Sequence, residues 1–422
     1  MNILSPQRFD LMAKYLYIKS YDREYKTDFF KNLYIAHFKT FNNFNEYPDK
    51  YSSNNVTKSN SEDFITEFNK LINNIKKYGY DNKYPIPIGK NKIIINGAHR
   101  LISCYYFNIK PTINSITNEN GNPDYNHTFF LNRKGSNPSL QPIYADTMAL
   151  EYINHNPNIR AMIIYPNVYK FNKMNDIINI INNYGYIYYS KSIKLNKNGI
   201  NNLVKELYRG EDWIGGLFPQ GYSPGGKAMR CYDEQENPTV LLLIEMKDLK
   251  KCIELKEKCR SIFNIGKHSI HISDFTKDTF RIGSSLLNNN SIHFLNNGTN
   301  DISPNTQKLL KHYFNNIEDK DDFCITSSVL LELYNLRQAK DIDYLHKNDK
   351  IINIENIGIH NGNWLSYYSK DKDDIIYNPE NHLYINGFKF ATLNVIKEMK
   401  SNRNEKKDIQ DINLINNNLN IK

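Results

Sequence analysis

Apolar residues recur at mixed three- and four-residue spacing near the start of the chain, at Phe9, Leu11, Met12, Leu16, Phe29, Phe30, Leu33 and Phe38. That spacing predicts helices through 1–50. A polar run, YSSNNVTKSNSE, predicts a loop over 51–62. Phe64, Phe68, Leu71, Ile72 and Ile75 then share one face of a helix over 63–77. The period changes in YPIPIGKNKIIINGAHRLISCYYF. It reads as a short strand at 85–88, a turn at Gly89-Lys90-Asn91, a second strand at 93–95, a break at Gly97 and a helix over 99–106. Residues 121–142 are loop-rich, and 143–205 mix helix and strand, with a helix at 175–183. From Tyr208 a Gly- and aromatic-rich run leads into a strand at 240–245 and a helix at 247–263. KHSIHIS and NSIHFLN read as two short strands flanking a helix at 276–287. The polar stretch 296–304 marks a boundary, and the end is an Asn-rich tail.

No solenoid period is present. The alternation of strands and helices implies a mixed α/β (α+β) class. A chain of 422 residues exceeds one ordinary core. The expected division is 1–150, 151–300 and 301–415, with a polar tail at 416–422. Hydrophobic residues at 40% and aromatics at 13% exclude a fully disordered chain. The net charge of +9 is spread along the chain and favours anionic partners such as nucleotides, though a solvated basic surface gives the same composition. The five cysteines, Cys104, Cys231, Cys252, Cys259 and Cys324, form no C-x-x-C pair. They read as buried thiols in a reducing compartment. The absence of a signal-like start or an apolar run of ~18 residues implies a cytoplasmic protein with no membrane span.

The segment FCITSSVLLELYNLRQAKDIDYL carries the most chemistry. A strand over 323–326 runs into Ser327-Ser328, which open a helix where backbone N–H groups can meet a phosphate. Arg337 and Lys340 add positive charge. Asp341 and Asp343 alternate on a second strand and so face one side. Two such carboxylates suit Mg²⁺ completed by substrate phosphates. The pattern resembles the polymerase-beta-like nucleotidyltransferase superfamily, in which a small-residue pair contacts the nucleotide phosphates and an Asp-x-Asp pair holds metal. The resemblance implies phosphate contact by Ser327 and Ser328, and catalytic metal binding (Mg²⁺ or Mn²⁺) by Asp341 and Asp343. Ser327 stands where the family has Gly. The last helices resemble the closing pair of small bacterial members, with Lys400, Arg403, Lys407, Asp408 and Asp411 bracing the fold and lining the cleft. The family's third carboxylate is expected in IIYNPENHLYINGFKF, whose strand centre (His382, Leu383, Tyr384, Ile385) carries no acid.

KIIINGAHRLISCYYF resembles the ParB/sulfiredoxin-like pattern, which implies that Gly97, His99 and Arg100 face a nucleotide phosphate. Asn96 stands where that family commonly has an acid. An ordinary turn whose His and Arg cap a helix fits the same residues. In the middle region, His271 and His293 lie on strands that would let them meet across a sheet, as metal ligands or as satisfied core histidines. Gly215, Gly216, Gly221, Gly225, Gly226 and Lys227 form a basic loop that could close over an anion, with Glu211 and Trp213 as ligand contacts. Taken whole, the segment order, including Arg8, Phe9, Asp10, Lys14 and Tyr15 near the start, is similar to a loosely defined group of bacterial surface-polysaccharide proteins, some labelled sugar transferases. The resemblances imply a metal-dependent transferase moving a nucleotidyl, phosphoryl-containing or sugar group from a nucleotide or nucleotide-sugar to a glycan precursor. The competing expectation is a catalytically degenerate protein that binds nucleotide, or nucleic acid, for regulation.

Overall fold

The structure, a computed structural model, describes residues 4–42, 60–135, 137–214, 225–246, 248–326 and 328–419. The chain divides into two compact units, Met1–Asn156 and Pro157–Lys422. Both middle and C-terminal sheets therefore lie in the second. The class is mixed α/β. Among the described residues, no helix is long and apolar enough to cross a membrane.

The first unit is mostly helical, with helices Asp10–Asp22, Phe29–Asn42, Ser61–Tyr78, Ala98–Tyr106 and Pro142–His155. Asn60 starts the third by accepting the Asp63 N–H, which satisfies one of the end's open donors. Strand β1 (Ile86–Ile88) pairs in parallel with β2 (Ile113–Ser115). The expected strand at 93–95 is corrected: it makes only an isolated bridge, Ile88 to Ile94. Buried Asp10 receives Arg8 Nε at 2.7 Å and Lys14 Nζ at 2.7 Å, and Arg8 Nη1 reaches the Ile94 carbonyl at 3.0 Å. Burial opposes ionisation of Asp10, but Arg8 and Lys14 hold its carboxyl well below the usual range. The Arg-Phe-Asp start is thus a buried brace between the first helix and the turn before Gly97.

In the second unit, β3 (Ile159–Ile164), β4 (Tyr186–Ile193), β5 (Thr239–Glu245) and β6 (Ile270–Ile272) form an antiparallel sheet in the order β4-β5-β3-β6. Helix Met174–Tyr184 links β3 to β4 and helix Leu249–Phe263 links β5 to β6, while helices Lys197–Leu207 and Gly225–Cys231 lie between β4 and β5. All of β5 is buried, which explains the unbroken apolar run VLLLI at its centre. Met162, Leu242 and Ile244 pack with Cys252, Leu255, Cys259 and Phe263 of helix Leu249–Phe263. The two helix thiols are therefore core groups. The expected strand NSIHFLN is a helix, Asn289–Asn297. Asn288 caps it by accepting the Ser291 N–H at 2.8 Å. His293 bonds the Tyr334 hydroxyl and His271 the Tyr208 hydroxyl, so they do not meet across a sheet.

The second sheet of this unit holds β7 (Phe323–Ile325), β8 (Ile342–His346), β9 (Ile357–Ile359), β10 (His382–Ile385) and β11 (Phe388–Ala391), in the order β10-β11-β7-β8-β9. β8 runs antiparallel to β7 and parallel to β9. Helices Leu393–Arg403 and Lys406–Leu419 pack on each other and close the chain.

Candidate functional site

A cavity of about 500 Å³ opens between the start of β8 and the closing helices. Asp341, Asp343, Arg337, Lys340, Ser328 and His360 line one side, and Lys400, Arg403, Lys407 and Asp411 the other. Asp343 lies in β8 and Asp341 one residue before it. The Thr326 N–H donates to the Asp343 carbonyl at 2.8 Å, which keeps β7 and β8 in register up to the site. Across β9, Asp343 faces Gly358, where a Cβ would stand 3.5 Å from Asp343 Oδ1. The segment carrying Arg337 to Asp341 is pinned by Glu332. Its carboxylate accepts from Ser303 N–H, Thr306 Oγ1 at 2.7 Å and Ala339 N–H at 2.8 Å.

The acids of the cavity wall, together with Asp408, which is buried against Lys400 and Arg403 of that wall, divide into two kinds. Asp411 receives Arg337 through Nε at 2.5 Å and Nη2 at 2.8 Å, and Lys400 at 2.8 Å. Asp408, fully buried, receives Arg403 through Nε at 2.9 Å and Nη2 at 2.6 Å, and Lys400 at 3.3 Å. Burial pushes both carboxyls up, but these bonds win, and Asp408 falls to about 2. Asp343 goes the other way. Burial and then the charge of Asp341 raise it to about 7, against the weaker pull of Arg403, Lys400 and Lys407. Its neighbour is His360, with Nε2 at 3.3 Å from Oδ1. Burial, then Arg403 and Lys400, push the imidazole down to about 4.

The expected site residues fall as follows. Asp341, Asp343, Arg337, Lys340 and Ser328 meet at one cavity. Ser327 lies outside the described residues. Ser328 is buried, and its helix, Val329–Leu333, has only five residues. The region expected to hold a third carboxylate forms β10 and β11, separated from β8 by β7. The residue beside Asp343 is His360 instead, which the sequence reading missed. Its local signal is the apolar run Ile357-Gly358-Ile359 ending on His.

In the first unit, Gly97 has φ +84° and opens helix Ala98–Tyr106. His99 turns into an aromatic cluster: its Nε2 meets the Tyr34 hydroxyl at 2.9 Å, and its ring stacks on Phe38. Arg100 Nη1 donates to the Tyr84 carbonyl at 2.6 Å. Its Nη2 would lie 2.9 Å from a Cβ at position 97. Glycine there serves both the left-handed backbone and the folded-back arginine. In the second unit, Lys227 belongs to helix Gly225–Cys231, where its Nζ donates to the Lys267 carbonyl at 2.8 Å and lies over the Tyr208 ring. Trp213 stands edge-on to Tyr208, and the Glu211 N–H donates to the Tyr208 carbonyl. Gly215, Gly216 and Gly221 lie outside the described residues.

No protein-family model, curated protein or solved structure matches this chain.

Among the described residues, no three His, Cys, Asp or Glu side chains gather closely enough to hold an ion by themselves. A donor set of two carboxylates on a cavity wall still suits Mg²⁺, which keeps waters and takes substrate phosphate oxygens for the rest of its shell.

Proposed function

We propose that this cavity binds a nucleotide or nucleotide-sugar with a divalent cation, and that the protein is a transferase of nucleotidyltransferase type acting on a glycan precursor. The observation that carries this reading is the meeting of Asp341 and Asp343, which among the described residues form no ion pair with a Lys or Arg, with five cationic side chains around one 500 Å³ space. That volume suits a small ligand. Asp341 and Asp343 would hold Mg²⁺ or Mn²⁺, which supplies charge neutralisation on a polyphosphate when bound.

The chain's own residues supply position and charge. Lys340 and Lys407 are exposed at the rim and meet phosphate oxygens. Arg403 and Lys400 are fixed by Asp408, so their charge is held in place before the ligand arrives, which lowers the reorganisation cost of binding. The buried wall of Ser328 and Met399 excludes water on the inner side. Gly97, His99 and Arg100 are proposed only as a secondary phosphate contact within the first unit.

A regulatory nucleotide-binding role is the second reading. The raised Asp343, whose carboxyl is only partly ionised near neutral pH, supports it. Calorimetry separates the two. ATP, CTP, GTP, UTP and their sugar conjugates are titrated with and without Mg²⁺ into the wild type and into Asp341→Asn/Asp343→Asn. Metal-dependent binding lost in the double variant, with group transfer from the bound donor, is the expected result. Binding that ignores both metal and substitution removes the transferase reading.

A further inference from the structure

We infer that His360 is a nitrogen ligand of the ion at the Asp343 end of the cavity, so that the site takes a transition ion of the Mn²⁺ kind in preference to Mg²⁺. This rests on the reading that the cavity holds a divalent cation, and it adds which ion and through which atom.

The first support is distance. His360 Nε2 and Asp343 Oδ1 are 3.3 Å apart. A strong charge-assisted hydrogen bond between such atoms closes to about 2.7–2.9 Å. Two neighbouring ligands on an ion with bonds of about 2.1 Å stand roughly 3.0 Å apart at a right angle and roughly 3.4 Å apart at a tetrahedral one. The observed separation lies within that interval.

The second support is how the ring is held. His360 Nδ1 lies 3.1 Å from the Tyr368 hydroxyl. The ring stacks on Trp364 with centroids 4.5 Å apart and planes 13° apart. The hydroxyl fixes one nitrogen and the indole fixes the plane, so Nε2 is the atom offered to the cavity. A ligating histidine is commonly held in this way, with its other nitrogen on an oxygen partner.

The third support is the donor set. Asp341 is exposed at the cavity rim and is free to turn toward an ion. Two carboxylate oxygens and an imidazole make a mixed set. Mg²⁺ strongly prefers oxygen alone, whereas first-row transition ions accept an imidazole nitrogen more readily. Because the three groups do not already form a closed cluster, ligand phosphates complete the shell, and ion affinity rises when a polyphosphate is present.

The test uses the full chain with Mn²⁺ as probe, alone and with tripolyphosphate. Electron paramagnetic resonance measures binding, and electron spin-echo modulation reads nitrogen coupled to the ion. The expected wild-type result is modulation from one imidazole nitrogen, and Mn²⁺ bound more tightly than Mg²⁺. His360→Gln should lose the modulation and most of that preference while keeping the fold by circular dichroism. Should that variant fail to fold, the wild-type echo spectrum decides alone. Ion binding that needs Asp341 and Asp343 but shows no nitrogen coupling overturns the assignment of His360 and leaves the cation reading standing. Ion binding indifferent to Asp341→Asn/Asp343→Asn overturns both.

Discussion

The acids lining one cavity, and the buried Asp408 bonded to its wall, are of opposite character. At the closing helices, Asp408 and Asp411 are saturated by Arg337, Lys400 and Arg403, and their carboxyls are held low. At β8, Asp343 is half-buried beside another acid and a neutral imidazole, and its carboxyl is raised to about 7. The difference separates acids that brace from acids that are available. A braced carboxylate has spent its lone pairs on fixed donors. A carboxylate left with a like-charged neighbour destabilises the empty fold and gains most when a cation arrives.

The largest expected effect is at the braced end. Asp408→Ala removes a fully buried partner of both Lys400 and Arg403, and should cost about 3 kcal/mol by urea unfolding. A loss below about 1 kcal/mol would mean that Asp411 alone satisfies Lys400 and that Arg403 finds solvent. Asp343→Asn should do the reverse. Its native carboxyl lies above the unfolded value, so the folded state holds the extra proton between about 4 and 7, and stability falls as pH rises through that window. The amide removes that cost. The variant should be more stable than wild type by on the order of 2 kcal/mol at pH 8, with the gain gone near pH 4. Equal stability at both pH values would show that the acid ionises freely. For Asp408 the sign is opposite: its stabilisation is present above about 4 and is lost as pH falls toward about 2.

A smaller effect is expected for Arg337→Gln, since Arg337 is one-third exposed and Asp411 keeps Lys400. Its cost should be about 1 kcal/mol in the same unfolding measurement. The least stability change belongs to Lys340→Ala, which is exposed and should shift unfolding by less than about 0.5 kcal/mol. Its effect should fall on ligand instead: weaker tripolyphosphate binding with a shallower salt dependence. Unchanged tripolyphosphate affinity would remove Lys340 from the phosphate wall.

Much of this cavity was legible along the chain because its parts obey local periods. Asp341 and Asp343 are two apart, which on an extended segment brings them to one side. Arg403 and Asp408 flank a short turn, and Lys400, Asp408 and Asp411 recur at helical spacing on adjoining helices. Strand β5 announced itself by an unbroken apolar run, as a strand covered on both faces must. Where reading failed, two local signals conflicted. NSIHFLN alternates like a strand, yet the Asn288 side chain caps a helix there, and its buried residues, Ser291, Phe294 and Leu295, follow helical spacing. Residues 93–95 have strand composition, but β1 takes its parallel partner from 113–115, and a parallel pair needs a crossover that a turn of a few residues cannot supply.

By itself the sequence determined the mixed class, the burial of the five thiols, the carboxylate pair and the cations able to surround it. Tertiary structure alone decided which acids are neutralised, because that depends on helices some seventy residues away in sequence from Arg337. It also decided the neighbour of Asp343. His360 follows the last residue of β9, and only the parallel pairing of β9 with β8 brings its ring to the carboxylate. A residue's period places it on a face; what that face meets is set by strand order, which no local pattern encodes.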